Sequence, residues 1–154
     1  MQPDLIFAMG SKAYVLLPAR VLAIMQSFVV GDEGQREAGG ILIGSHRGDH
    51  IEIRDCTVPL KSDVRKRFLF DRKDGGHQKA ATIAWNSSGG TETFVGEWHS
   101  HPEDYPRPSS LDCGTWRDIT MRENRKVIFL IVGRKELWAG WGKTGVIEPI
   151  YPVI

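Results

Sequence analysis

Two histidines, His99 and His101, stand two residues apart at the end of a segment, Thr93 to His99, that is expected to be a strand. Side chains two residues apart in an extended chain lie on the same face, so both imidazoles can bind one cation. The pair by itself also fits two solvent-exposed loop histidines. A metal site therefore needs a further ligand nearby in the fold.

Asp112 is the next acidic residue that a rigid element would present, one turn into a helix expected to begin at Ser109. Two imidazole nitrogens, one carboxylate oxygen and one position for water form the ligand set of a catalytic zinc site. Ser109 and Asp112 also have the spacing of a helix capping box, which needs no metal. The two interpretations are compatible, and capping alone leaves the histidines unexplained.

A metal-activated water also needs a carboxylate to accept its proton, and three glutamates are candidates. Glu97 is expected on the strand face of His99, as a partner of the ligands or as a buried charge at the strand edge. Glu103 lies in the following loop, where solvation is expected. Glu37 precedes paired glycines, which would let the backbone approach closely and hold a carboxylate over a neighbouring site. Position alone does not decide among them.

The complete set of residues resembles the motif of the JAMM (MPN-plus) metalloproteases, E…H-S/T-H-P…S-x-x-D. Every position is filled, from Glu37 before GGILIG, through the HSHP segment at 99–102, to Ser109 and Asp112. The resemblance implies one Zn2+ per chain bound by His99, His101 and Asp112. It also implies Glu37 as the general base and acid, and Ser109 as a donor to the tetrahedral oxyanion.

The resemblance implies hydrolysis of an amide or isopeptide bond after the C-terminal tail of a ubiquitin-like modifier, without a covalent acyl-enzyme. The segments GEWHSHP and PRPSSLD, the FLFD strand at 68–71 and a helix carrying Trp85 are most similar to small bacterial JAMM proteins. Those proteins occur in integrative elements and in CBASS antiphage operons. In such operons an activating and conjugating enzyme attaches a CD-NTase through its C terminus to target proteins, and the JAMM protein reverses the attachment.

Three alternative functions can be weighed against this one by the residues they would require. Processing of a sulfur carrier or another ubiquitin-like protein would use the same chemistry and stays open. A non-catalytic MPN interaction module would not need the complete motif, which favours an enzyme. A zinc nucleoside deaminase of the related fold would need H-x-E and a later P-C-x-x-C, which this sequence lacks.

The elements that must position these residues alternate between strand and helix. The expected strands cover residues 13–17, 40–44, 50–60, 93–99, 126–133 and 136–142. Helices are expected from Pro18, over 74–87 and over 109–124. This order favours an α/β or α+β sandwich with one main sheet. The resemblance implies the cytidine-deaminase-like α/β/α fold, with a mixed sheet flanked by helices.

Three segments carry more detailed expectations. The helix over 74–87 is expected to pack through Ala80, Ile83, Ala84 and Trp85. The basic run 64–67 is expected to be a solvated loop or an edge. The prolines of the C-terminal segment restrict it to an edge strand or an extended tail.

The composition excludes several classes of protein. A chain of 154 residues, 41% hydrophobic and 25% charged, predicts one domain over residues 1–154 that folds without a structural metal. A formal net charge of +1 argues against a nucleic-acid partner. The apolar segments are too short to span a membrane and the N terminus lacks a basic signal region, so we expect a cytoplasmic protein.

The two cysteines, Cys56 and Cys113, cannot build a disulfide framework or a four-cysteine zinc site. Cys113 directly follows Asp112, and its thiolate could fill the water position of a zinc ion. A small buried helix residue is the favoured interpretation.

Overall fold

The computed structural model describes residues 2–30 and 35–153. Its strands are β1 (Leu5–Met9), β2 (Ala13–Leu17), β3 (Gly39–Arg47), β4 (His50–Cys56), β5 (Val64–Lys66), β6 (Leu69–Asp71), β7 (Thr93–Ser100), β8 (Val127–Val132), β9 (Leu137–Lys143) and β10 (Val146–Pro149). Its α-helices are α1 (Ala19–Gln26), α2 (Gly76–Ser87) and α3 (Ser110–Arg122). No helix within the described ranges is long and apolar enough to cross a membrane.

Eight strands form one mixed sheet in the order β1-β2-β4-β3-β7-β8-β9-β10, and β5 pairs with β6 in a separate hairpin. The β2–β4 and β7–β8 pairs are parallel, and the other pairs of the large sheet are antiparallel. Helix α1 covers one face of the sheet, and α2 and α3 cover the other. The predicted α/β fold with a mixed sheet between helices is confirmed.

Strand β8 lies in the middle of this core, and all six of its residues are buried. Ile128, Leu130 and Val132 pack into the core that contains α1. The alternate residues of β8 pack with Trp116 and Ile119 of α3. A strand that is covered on both faces consists of a continuous run of apolar residues. The apolar run here predicted a central strand, and the structure agrees.

A β-bulge in β7 decides which face His99 occupies. Leu42 pairs with Gly96 and Ile43 with Phe94, so Val95 is an extra residue on the β7 side. Val95 lies on the α1 side of the sheet, whereas His99 lies beside Trp116 of α3. Because a bulge shifts the alternation of a strand by one residue, it turns the end of β7 towards α3.

Paired glycines let β3 approach its neighbours closely. A Cβ atom on Gly40 would lie 2.1 Å from the Thr57 carbonyl oxygen, and one on Gly39 would lie 2.6 Å from the Phe70 ring. The Thr57 carbonyl also accepts the indole N–H of Trp98 at 2.8 Å, which restricts its movement. The expectation of close backbone approach at these glycines is confirmed.

Gly40→Ala is expected to lower the free energy of unfolding by roughly 1–3 kcal/mol, the usual cost of overpacking. Urea denaturation followed by circular dichroism measures this change. Gly114→Ala is the matched control, because Gly114 lies in α3 with no atom within 4 Å of its added Cβ. The control should be neutral or stabilising, since alanine is the better helix former. Equal stability of the two variants would contradict the prediction.

Three segments differ from the sequence-based expectation. Ile83 and Trp85 are half exposed or more, and α2 packs through Ala80, Ala81 and Ala84 with His77 also buried. A spacing of three and four residues places these small residues, and not Ile83 or Trp85, on one helix face.

The apolar stretch that forms β1 was not predicted as a strand, and β4 ends at Cys56 instead of residue 60.

The basic run that was expected as a solvated loop or an edge forms β5, the first strand of the β5–β6 hairpin. This hairpin lies against the segment that precedes β3. The backbone N–H of Glu37 donates to the Lys66 carbonyl at 2.7 Å, and Arg65 Nε donates to the Glu37 carbonyl at 3.0 Å. The hairpin thus holds the backbone of Glu37 from the side opposite the large sheet.

Candidate metal centre

The end of β7 and the first turn of α3 bring His99, His101 and Asp112 together. The Nε2 atoms of the two histidines are 3.0 Å apart. The Asp112 carboxylate oxygens lie 3.3 Å from Nε2 of His99 and 3.2 Å from Nε2 of His101. Both histidines are buried. Two nitrogens and one carboxylate therefore converge on one position.

Glu37 reaches the same position from the segment before β3. The donor atoms of Glu37, His99 and His101 all lie within 4.8 Å of one another, and Glu37 Oε2 is 3.9 Å from His101 Nε2. Ser100, between the histidines, fixes the neighbouring residue Ala38: its hydroxyl accepts the Ala38 N–H at 2.8 Å, and its N–H donates to the Ala38 carbonyl at 2.8 Å. This contribution of Ser100 was not predicted from the sequence.

Burial raises the pKa of Glu37 above its ordinary value, and the Asp112 carboxylate acts in the same direction. The nearby imidazoles of His99 and His101, and the backbone N–H of Phe70, oppose this rise without cancelling it. A raised pKa makes the ionised carboxylate a better proton acceptor than an ordinary one. Among the three candidate glutamates, Glu37 combines burial with a position close to both histidines.

Asp112 and His101 have pKa values that move in opposite directions. Burial alone would raise the pKa of Asp112, but hydrogen bonds to His101 and His99 hold it well below its usual range. Burial alone would lower the pKa of His101, but the carboxylates of Asp112, Glu103 and Glu37 raise it. Asp112 is therefore ionised at neutral pH, as a metal-binding carboxylate must be.

Glu103 and Glu97 make contacts that the sequence did not predict. Glu103 is half exposed, as expected, and also accepts a hydrogen bond from His101 Nδ1 at 2.9 Å. This contact orients the ring and leaves Nε2 for a metal, as is usual for metal-bound histidines. Glu97 lies on the His99 face as predicted, but its carboxylate accepts Trp116 Nε1 at 3.1 Å and pairs with Arg72 at 3.0 Å. Of the two alternatives for Glu97, the structure favours the charge at the strand, which is partly buried and paired with Arg72.

A capping box at the start of α3 holds Asp112 in place. Ser109 Oγ accepts the Asp112 N–H at 3.0 Å, and Asp112 Oδ2 accepts the Ser109 N–H at 2.8 Å. The predicted helix cap is confirmed, and the same aspartate faces the histidines. Because Ser109 Oγ acts as the acceptor in this cap, its hydroxyl proton stays available for a bound substrate.

A groove of about 400 Å3 leads away from this cluster between the hairpin and α3. Phe68 and Leu111 stand on opposite walls and are largely exposed. The Glu97–Arg72 pair and Trp116 also line the groove. One end of the groove thus lies at the candidate metal ligands His99 and Asp112 and at Glu37.

Cys113 lies on a different face of α3. It lines a second groove of about 350 Å3 together with Pro108, Arg117 and Trp138. Within the described residues, the side-chain donor atoms that group around the two histidines belong to Glu37 and Asp112 and not to a cysteine. The arrangement supports a packing role for Cys113.

Cys113→Ser is expected to leave metal content and turnover unchanged, within about twofold, because the thiol faces the second groove. Metal analysis of the purified variant and its steady-state cleavage rate provide the measurement. A clear rise in turnover would instead show that the thiol blocks the metal.

Comparison with known proteins places the chain in a family. Residues 29–141 match the family described as prokaryotic homologs of the JAB domain. A protein of Pseudomonas aeruginosa named CD-NTase/cGAS isopeptidase is 40% identical, over 84% of this chain and 85% of its own length. A Vibrio cholerae protein of the same name is 36% identical, over 89% and 87%.

Structural comparison agrees on the fold. The solution structure of a Desulfitobacterium hafniense protein matches with a TM-score of 0.61 at 20% identity, over 85% of this chain and 86% of that one. This identity supports the fold alone, whereas the family match and the curated relatives bear on the enzyme class. The predicted relationship to JAMM peptidases is confirmed, and the chain belongs to the prokaryotic JAB-domain family.

Proposed function

We propose that this protein is a zinc-dependent isopeptidase that releases a CD-NTase from proteins to which its C terminus has been conjugated. The observation that carries the proposal is the convergence of Glu37, His99, His101 and Asp112 at one end of a groove. Three relatives that are each named CD-NTase/cGAS isopeptidase, and that are similar over most of the chain, support this substrate. An activating and conjugating enzyme would make the conjugate. We propose that this enzyme and the isopeptidase both act in the cytoplasm.

His99, His101 and Asp112 would hold one zinc ion, and Glu103 would orient His101. Two imidazole nitrogens and a carboxylate oxygen are ligands that zinc takes in catalytic sites. When bound, zinc would lower the pKa of water and polarise the scissile carbonyl. The capping box would position Asp112 before any metal arrives.

Glu37 would move the protons of the reaction. Its carboxylate accepts a proton from the attacking water as the new C–O bond forms, and returns a proton to the nitrogen of the leaving amine as the C–N bond breaks. The products are a free C-terminal carboxylate and an amine. Burial favours this exchange, because it raises the pKa of Glu37. The Ser109 hydroxyl would donate a hydrogen bond to the oxyanion that develops on the carbonyl oxygen.

The substrate tail would lie extended in the groove between β6 and α3. Strand β6 belongs to a sheet of two strands, so a tail beside it would form a third strand by β-augmentation. Phe68 and Leu111 would contact its side chains, and the Glu97–Arg72 pair would favour polar groups deeper in the groove. The net charge of +1 gives long-range attraction little part in selection.

The test is cleavage of a reporter joined through an isopeptide bond to the CD-NTase C terminus, by the purified protein with and without a chelator. We expect cleavage that is lost on chelation and restored by zinc. A parallel reporter carries a sulfur-carrier tail. Cleavage of the second reporter alone would replace the proposed substrate, and cleavage of neither would contradict the isopeptidase proposal.

A further inference from the structure

Three side chains form a buried polar cluster that the proposed chemistry does not use: Thr57, Asp63 and His77. His77 is 1% exposed, and the Asp63 side chain is fully buried. His77 Nε2 lies 2.7 Å from Asp63 Oδ2, and His77 Nδ1 lies 2.6 Å from Thr57 Oγ1. Buried polar side chains are costly unless all their hydrogen bonds are made, so a cluster of this kind needs a reason.

Each hydrogen bond of this cluster can be assigned a donor and an acceptor. The Asp63 carboxylate accepts backbone N–H groups of Leu60, Lys73 and Asp74 at 2.7–2.9 Å. It therefore acts as the acceptor for His77 Nε2–H. Thr57 Oγ1 accepts the Ile41 N–H at 2.8 Å, which leaves its own proton to donate to His77 Nδ1 in the tautomer with hydrogen on Nε2. A neutral imidazole satisfies every partner.

The two ends of this chain of bonds attach to the elements that hold Glu37. Asp63 directly precedes β5, and its bonds to the residues after β6 close the base of the hairpin. At the other end, Thr57 bonds to Ile41 of β3, four residues after Glu37. His77 joins the two ends from the first turn of α2.

The hairpin contacts Glu37 at three points. The Lys66 carbonyl accepts its N–H, Arg65 donates to its carbonyl, and the Phe70 N–H bonds to its carboxylate. The same hairpin supplies one wall of the groove. A shift of the hairpin relative to β3 would therefore move the carboxylate of Glu37 relative to the histidines.

We propose that His77 is a positioning residue of the isopeptidase, which locks the β5–β6 hairpin to α2 and β3 through Asp63 and Thr57 and so sets the position of Glu37. The inference rests on the proposed function. Both ring nitrogens of His77 are occupied and the ring is buried, so it has no part in the chemistry itself.

His77→Phe removes both bonds while keeping a planar ring. We expect kcat to fall roughly 10- to 100-fold, because misplacement of a catalytic group by about 1 Å has an effect of that size. Metal content should not change. Amide hydrogen exchange should become faster in residues 37–41 and 64–72. His77→Gln keeps a donor for Asp63 and should recover part of the lost rate.

Ala81→Gly is the matched control, because Ala81 is buried one turn further along α2, packs against β3 and has a side chain that makes none of the cluster's hydrogen bonds. It weakens the same helix, so it reports the effect of lower stability alone. All variants are compared at a temperature where each is fully folded. A His77→Phe protein with unchanged kcat and the exchange pattern of Ala81→Gly would overturn the proposal. If the wild-type protein cleaves no conjugate, the isopeptidase assignment fails separately, and the exchange pattern still decides whether His77 fixes the hairpin.

Discussion

Glu37→Gln is expected to abolish turnover while leaving the metal bound. Glutamine has the shape of glutamate and can still accept the Phe70 N–H, but it cannot take a proton from water near neutral pH. Loss of a general base typically costs about 10²- to 10⁴-fold in rate. Single-turnover cleavage of the isopeptide reporter measures the effect, and metal analysis of the same sample shows whether the site is loaded.

Glu148→Gln is a suitable control for this experiment, because Glu148 is exposed on the edge strand β10. It makes the same chemical change at a residue that does not line the groove containing Glu37 and should keep the wild-type rate. Wild-type turnover by Glu37→Gln with a full metal complement would remove Glu37 from the reaction. The remaining glutamates would then need testing in its place, beginning with Glu97, which lines the same groove.

Asp112→Asn is expected to lose the metal and the activity but keep the fold. The asparagine amide oxygen can still accept the Ser109 N–H, so α3 keeps its cap, while the charged ligand is lost. Loss of a residue that only supports a ligand costs about 10- to 100-fold in metal affinity, and loss of the ligand itself should exceed this. Zinc titration, the cleavage rate and a thermal melt of the same preparation test the three expectations.

Asp118→Asn provides the control, because Asp118 is an exposed residue of the same helix. Chelation of the wild-type protein should reproduce the Asp112→Asn phenotype. The apolar clusters on both faces of the sheet are expected to keep the metal-free protein folded. The free energy of unfolding should therefore fall only by the free energy with which the ion binds the folded state. Unfolding on chelation, or tight zinc binding by Asp112→Asn, would contradict this prediction.

Local geometry explains why much of this site could be predicted. His99 lies in β7 and His101 directly follows its last residue, while Ser109 and Asp112 are three apart at one helix start. Both spacings fix relative side-chain positions over a few consecutive residues, whatever the remainder of the chain does. The sequence could therefore place each pair, but not the distance between the pairs.

The roles expected of Glu97 and Glu103 show where this reasoning ends. Strand alternation correctly placed Glu97 on the His99 face, but its partners, Arg72 and Trp116, come from the segment after β6 and from α3. Glu103 follows Pro102, and the turn there brings its carboxylate back to His101 Nδ1. An acid two residues after the histidine was the available signal, but loop conformation has no simple periodicity from which to predict the contact.

The sequence by itself determined the donor types, their spacing at the end of β7 and at the start of α3, and the resemblance to a peptidase family. Position along the chain left open which glutamate joins them; the family resemblance implied Glu37, and the tertiary structure brings its carboxylate there. Glu37 is distant from the histidines in sequence and reaches them because Gly39 pairs with His99 across β3 and β7, while the hairpin closes over it from the other side. The bulge at Val95 and the buried His77 cluster were likewise decided by the tertiary structure. Strand register and hairpin docking depend on the summed packing of distant residues, which no local pattern in the chain specifies.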